Sequence, residues 1–205
     1  IYVASMHNTM LFFTEKGRCY WLKVYAIPEG TRASKGRAIQ NVIQIEPDDA
    51  VRAYINVRRL DDREYVTSNY IIMCTKAGIV KKTLLEAYSR PRQNGVNAIT
   101  IKEGDQLIEA KLTSGDSEVL LAAKEGKAIR FNEKAVRPIG RTGAGVKGIT
   151  IDGDDEVVGM ICVEKDRKED ILVVSEHGYG KRTDLDDYRI TNRGGKGVKT
   201  LPITE

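Results

Sequence analysis

The chain has 205 residues, enough for one large domain or two small ones, with 30% charged and 41% hydrophobic residues and a formal net charge of +4. Its apolar runs, such as LLAA at 120–123 and ILVV at 171–174, fall far short of the ~20 residues that span a bilayer, so no membrane partner is expected. The chain starts at Ile1, runs straight into a strand-like pattern and shows no charged-then-apolar leader, which reads as a piece of something longer without a signal peptide.

From the N-terminus, MLFFTEKGRCYWL (10–22) is an apolar run, a polar turn with Gly17 and a second short run, the form of a β-hairpin. GTRASKGRAIQ (30–40) is basic, EPDD (46–49) is an acidic turn, and AVRAYINV (50–57) alternates like a half-buried strand. The order then recurs. YIIMCTKAGIVKK (70–82) is a hairpin around Gly78, and TLLEAY (83–88) sets Thr83 three residues before Glu86, a capping-box spacing that predicts one helical turn. YSRPRQNGVNA (88–98), EGD (103–105) and QLIEAKLT (106–113) follow. VLLAAKEGKAIRF (119–131) turns at Gly126 and leads to RPIGRTGAGVKG (137–148), DGDD (152–155) and EVVGMICV (156–163). ILVVSEHGYGKRT (171–183) turns at Gly178, TDLDDY (183–188) repeats the capping-box spacing, and RITNRGGKGVKT (189–200) ends the series.

The hairpin glycines are spaced 61, 48 and 52 residues apart. Gly36, Gly95, Gly145 and Gly197 of the basic segments are spaced 59, 50 and 52 apart, nearly in step. A period near 50 with about four short strands per repeat predicts an all-β, propeller-like disc of four-stranded blades, about four of them present. The expected layout is one domain over 1–205, with repeats at approximately 1–49, 50–104, 105–154 and 155–205. Tyr88 and Tyr188, each ten residues after its turn glycine, read as packing anchors.

Charge is segregated by element. The four basic segments hold Arg32, Lys35, Arg37, Arg90, Arg92, Arg137, Arg141, Lys147, Arg189, Arg193, Lys196 and Lys199, twelve bases with no acid. The rest of the chain keeps 21 bases against 29 acids, a net of −8. On a ring or arc of blades, equivalent loops occupy equivalent places on the rim, so these segments predict a basic belt. Lys81, Lys82, Arg130, Lys181 and Arg182 beside the hairpins would widen it. Glycine lets backbone N–H groups approach phosphates, and Arg and Lys neutralise them. Without aromatic stacking platforms in the segments or a recognition helix of convincing length, the expected ligand is bent duplex DNA bound with little sequence reading.

Other chemistries find little support. Cys19, Cys74 and Cys162 form no CxxC pair, and His7 and His177 have no cluster of ligand spacing. Three small buried thiols in a reducing cytoplasm is the expectation, with no metal site. No nucleophile with a paired base and no Walker-type loop appears; GRTGAGVKG (140–148) lacks the Lys-Ser/Thr ending. The carboxylates of EGD and DGDD read as turn formers rather than a cation site. A protein-interaction propeller is the reading from another class, and it would require an apolar patch on the disc face.

The run LFFTEKGRCYWLKVYAIP, with the later GRTGAGVKGI and HGYGKRT…YRITNRGGKGVKT, closely resembles the C-terminal domain of bacterial DNA gyrase A over essentially the whole chain. The corresponding domain of topoisomerase IV is the near neighbour. The resemblance implies a β-pinwheel with strand exchange between neighbouring blades. It also implies wrapping of duplex DNA in a positive, chiral sense, within an ATP-dependent type II topoisomerase that negatively supercoils DNA. By the same resemblance, the rest of gyrase A and the gyrase B protein are partners. The catalytic tyrosine and the ATPase, with its ATP and Mg, lie outside this chain, which is then no enzyme by itself and holds no cofactor. The family's hallmark box reads Gln-Arg-Arg-Gly-Gly-Lys/Arg-Gly in the first blade. Here Thr191-Asn192-Arg193-Gly194-Gly195-Lys196-Gly197 keeps five of seven positions in the fourth repeat. This is a box-like copy, and the full box is expected upstream of Ile1. Family members often carry more blades than four hairpins would give, so closure of the disc is not implied.

Overall fold

A computed structural model describes residues 3–200. Its strands are β1 (Thr9–Thr14), β2 (Arg18–Lys23), β3 (Val51–Val57), β4 (Tyr70–Thr75), β5 (Ile79–Leu84), β6 (Val96–Asn97), β7 (Leu107–Thr113), β8 (Glu118–Ala123), β9 (Lys127–Asn132), β10 (Val146–Lys147), β11 (Val157–Val163), β12 (Asp170–Val174), β13 (Gly180–Asp184) and β14 (Val198–Lys199). A single α-helix among the described residues, α1 (Arg63–Ser68), precedes β4. The four antiparallel hairpins are β1–β2, β4–β5, β8–β9 and β12–β13. At each turn the glycine N–H closes on a carbonyl three residues back, as in Gly78 N to Thr75 O at 3.0 Å. The glycine then takes a positive φ, +80° at Gly78, which an L side chain resists.

The hairpins build sheets ordered β3-β1-β2-β6, β10-β5-β4-β7, β11-β8-β9-β14 and β12-β13. The first three are four-stranded blades, and the fourth shows two strands among the described residues. Each complete blade takes its outer short strand from the following repeat: β6 pairs with β2, β10 with β5, and β14 with β9. The strand exchange implied by the resemblance is therefore present. Sequence repeats and sheets do not coincide, because a blade closes with residues well beyond its own hairpin.

The apolar runs of β1, β4 and β8 are continuous because these strands are buried on both faces. Leu11 and Phe13 of β1 pack with Ile71 and Met73 of β4, while Ile72 and Cys74 of β4 pack with Val119 and Leu121 of β8. Leu120 of β8 packs with Ile171 of β12. Tyr88 and Tyr188 are buried in the first and third of these seams, and the Phe13 and Tyr88 rings meet edge-to-face at 5.8 Å. The outer face of the first blade is covered by its own connection, where Ile43 and Ile45 close over Met10, Phe12 and Tyr20. Beyond β12 the face is open, and Leu172 and Val174 are 67% and 59% exposed.

A single helical turn stands at each capping-box site, but the capping residue is corrected. The turns after β5 and β13 are short 3-10 turns, Leu85–Tyr88 and Leu185–Asp187. Their cap residues are Leu84, without a side-chain bond, and Asp184, whose carboxylate accepts from Asp186 N. Thr83 and Thr183 are instead buried strand residues. No helix among the described residues is long and apolar enough to cross a membrane.

Candidate nucleic-acid interface

The basic segments are held by the blade before them. Gly95, Gly145 and Gly197 lead into the exchanged strands with φ of +66°, +94° and +75°. A Cβ on Gly145 would stand 2.6 Å from Val80 O, and one on Gly197 2.5 Å from Ala128 O. Only glycine fits where the segment enters the neighbour's sheet. After each short strand the chain hooks the preceding hairpin glycine: Ala98, Gly148 and Thr200 N–H groups donate to Gly17, Gly78 and Gly126 carbonyls at 2.7, 2.8 and 2.7 Å. Segment 30–40 differs. Gly36 has open space around it and no positive φ, and the segment forms no exchanged strand.

Consecutive segments also bind one another. Thr100 Oγ1 donates to Thr142 O at 2.7 Å, and Thr150 Oγ1 donates to Gly194 O at 2.6 Å. Gly194 N donates to Gly148 O at 2.6 Å. Arg193 of the box-like motif donates through Nε to Ala135 O at 2.9 Å and through Nη1 to Lys147 O at 3.0 Å. The second, third and fourth segments, with Thr100 and Thr150 two residues past the first two of them, thus form one hydrogen-bonded row.

Along that row Arg90, Arg92, Arg137, Lys147, Arg189, Lys196 and Lys199 are exposed, and Arg141 and Arg193 are half-buried. Arg32, Lys35 and Arg37 are exposed on the first segment. Lys196 pairs with Asp152 at 3.3 Å, and Lys196 and Lys127 together hold that carboxyl below its usual range. Lys181 is exposed, and Arg182, 77% exposed, pairs with Asp170 at 3.0 Å.

Three of the bases beside the hairpins are buried rather than on the belt: Lys81, Lys82 and Arg130. Lys82 is 4% exposed and Arg130 8%. Lys82 Nζ donates to Glu133 O at 3.0 Å, pairs with the Glu133 carboxylate at 3.5 Å and lies 5.1 Å from the Tyr70 ring centroid. Arg130 Nη1 donates to Leu185 O at 2.6 Å and Tyr188 O at 2.9 Å, and its Nε reaches Glu118 at 2.7 Å. Strand position explains this. Each stands four residues after its hairpin glycine, on the face covered by the next blade. Trp21 occupies the same position in β2 and donates from Nε1 to Tyr88 O at 2.9 Å. Lys81 is buried too, donating to Ala98 O and Arg141 O. Burial, with the Arg141 guanidinium adding to it, pushes its amine down to about 8.

The acidic turns also have a defined task. Asp49, Asp105 and Asp155 each accept two backbone N–H groups, one of them from the hairpin turn: Lys16, Ala77 and Glu125 respectively, at 3.2, 2.8 and 3.0 Å. Cys19 and Cys74 are buried, and burial pushes the Cys162 thiol up to about 12. No group of three or more His, Cys, Asp or Glu residues able to hold a metal occurs among the described residues.

The sequence model of the DNA gyrase C-terminal domain family, a beta-propeller, matches residues 8–68, 69–114, 117–164 and 169–205. The chain belongs to the DNA gyrase C-terminal domain family. Each matched unit holds one hairpin of the gyrase-type pinwheel. The chain is 46% identical over 201 residues to the DNA gyrase A protein of Staphylococcus aureus, covering 98% of this chain and 22% of that protein. The same figures hold for the DNA gyrase A protein of Staphylococcus epidermidis. It therefore spans about a fifth of the length of these relatives. Among solved structures, the C-terminal domain of DNA topoisomerase IV matches with a TM-score of 0.83 at 28% identity, covering 95% of this chain and 58% of that one. The DNA gyrase A C-terminal domain matches at 0.77 and 23% identity, with 95% and 60% covered, a likeness of fold.

Proposed function

We propose that the chain binds duplex DNA without reading its sequence and wraps it along the basic row, as the C-terminal part of a type II DNA topoisomerase that negatively supercoils DNA using ATP. The carrying observation is the continuity of the row: three glycine-rich segments with nine of the twelve belt bases, linked in order by hydrogen bonds from Thr100 and Thr150, each two residues past a segment, and from Arg193. Cations at fixed intervals on a curved support favour a bent polyanion, because each contact offsets part of the bending energy. Arg32, Lys35, Arg37 and Lys181 are further exposed bases that a wrapped duplex could meet. In this reading the catalytic tyrosine and the ATP and Mg chemistry belong to the rest of gyrase A and to gyrase B in the bacterial cytoplasm. This chain supplies the DNA path alone.

Reversing Arg141→Glu and Lys147→Glu together should weaken binding to unrelated duplex sequences by similar factors. It should also flatten the log–log salt dependence by about 0.9 per lost phosphate contact. Unchanged affinity would sink the belt. A second reading has one observation in its favour: the 0.83 TM-score to a topoisomerase IV domain, which would make this a DNA-binding module without strong chiral wrapping. Ligating nicked circles in the presence of the chain separates the two, since a positive linking-number shift appears only with chiral wrapping.

A further inference from the structure

We propose that Lys82 and Arg130 are positioning residues that clamp the basic segment of the following repeat in place on the rim, so that they set the DNA path without touching DNA. The inference rests on the wrapping reading above. Each residue grips the next repeat twice. Lys82 holds Glu133 O with its amine while its own carbonyl accepts from Ile139 N at 2.9 Å. Arg130 holds Leu185 O and Tyr188 O with its guanidinium while its carbonyl accepts from Thr191 N at 2.8 Å. The two grips bracket residues 133–139 in one case and 185–191 in the other. They fix the 3-10 turn (Glu133–Ala135 or Leu185–Asp187) and the root of the basic segment as one piece.

The carboxylates that face each clamp are themselves held. Buried Glu133, the partner of Lys82, also accepts from Thr113 Oγ1 at 2.9 Å and Ser117 N at 3.0 Å. Arg130 adds the Glu118 carboxylate, and Asp186 at 3.6 Å. A buried, multiply bonded cation is geometrically specific. Duplex DNA is stiff over ~150 base pairs, so a bent path survives only while several contacts stay in register. A loosened segment can still meet a phosphate, but it can no longer hold the curve.

The test uses the chain with Arg130→Lys, Arg130→Met, and Lys82→Met combined with Glu133→Gln, the last so that no buried carboxylate is stranded. Three quantities are read: affinity for a short linear duplex, linking-number shift on nicked circles, and amide exchange at Ile139 and Thr191. Short-duplex affinity should stay within roughly twofold, as for substitutions away from a binding surface. The linking-number shift should fall by about half or more, and exchange should quicken roughly tenfold, the scale of one lost hydrogen bond. Arg130→Lys, which keeps the charge and a single donor head, should fall between Arg130→Met and the native chain. A linking-number shift that survives faster exchange would overturn the clamp. So would short-duplex affinity falling as it does for Arg141→Glu with Lys147→Glu, since that would place the side chains against DNA. If the native chain produces no shift, the wrapping reading fails on its own, and unaltered exchange in the variants would then overturn the clamp separately.

Discussion

Lys81 and Lys82 are adjacent in β5, and strand alternation sends them to opposite faces of one blade. Lys82 meets a carboxylate; Lys81 meets the carbonyls of Ala98 and Arg141. Carbonyl dipoles do not offset its desolvation as a carboxylate would, and Lys81 is held down at about 8, against an ordinary lysine value of about 10.4. Between those two values the unfolded chain binds a proton that the folded chain does not, so this group makes the fold more stable as pH rises across that window. Lys81→Met cannot titrate. The difference in Tm between the native chain and Lys81→Met should therefore shift in favour of the native chain from pH ~8 to ~10. A difference that stays constant would mean that Lys81 keeps its proton.

At the scale of elements, the hairpins are legible in the sequence because a turn glycine and two apolar runs are local signals. The exchanged strands are not. β6, β10 and β14 are two residues each, and their pairing depends on a preceding blade edge that no local pattern announces. Their one trace is the in-step glycine series, and Gly36 shows that the glycine alone does not make the strand. Lys82 and Arg130 are hidden in the sequence for a related reason. A base beside a hairpin reads as exposed until the next blade covers that face, and the useful signal is their shared place four residues after the glycine, where Trp21 also stands. The same covering decides what a leucine is worth. Leu120 and Leu172 occupy equivalent hairpin positions, the first buried under the next blade and the second exposed. Leu120→Ala should cost about 2–5 kcal/mol in urea unfolding, and Leu172→Ala less than about 0.5 kcal/mol. Equal costs would mean that the face beyond β12 is packed in solution.

For the whole molecule, a net charge of +4 conceals a division between twelve bases on the basic segments and a body of −8. Several acids of that body are not free to cancel the belt. Asp49, Asp105 and Asp155 are tied to hairpin backbones, Glu133 to Lys82, and Glu118 to Arg130. Counterions released from DNA should thus be counted segment by segment. Neutralising Arg90 and Arg92, Arg141 and Lys147, or Lys196 and Lys199 to Gln should each lower the salt slope by up to about 1.8, two contacts at about 0.9 each. Combining two segments should add their reductions, because a duplex on the proposed path would meet them in succession. Lys196 should contribute less than its neighbours, since Asp152 already holds it. If one segment carried the whole slope, the DNA would touch a point on the rim rather than run along it, and the hydrogen-bonded continuity of the segments would need a different explanation.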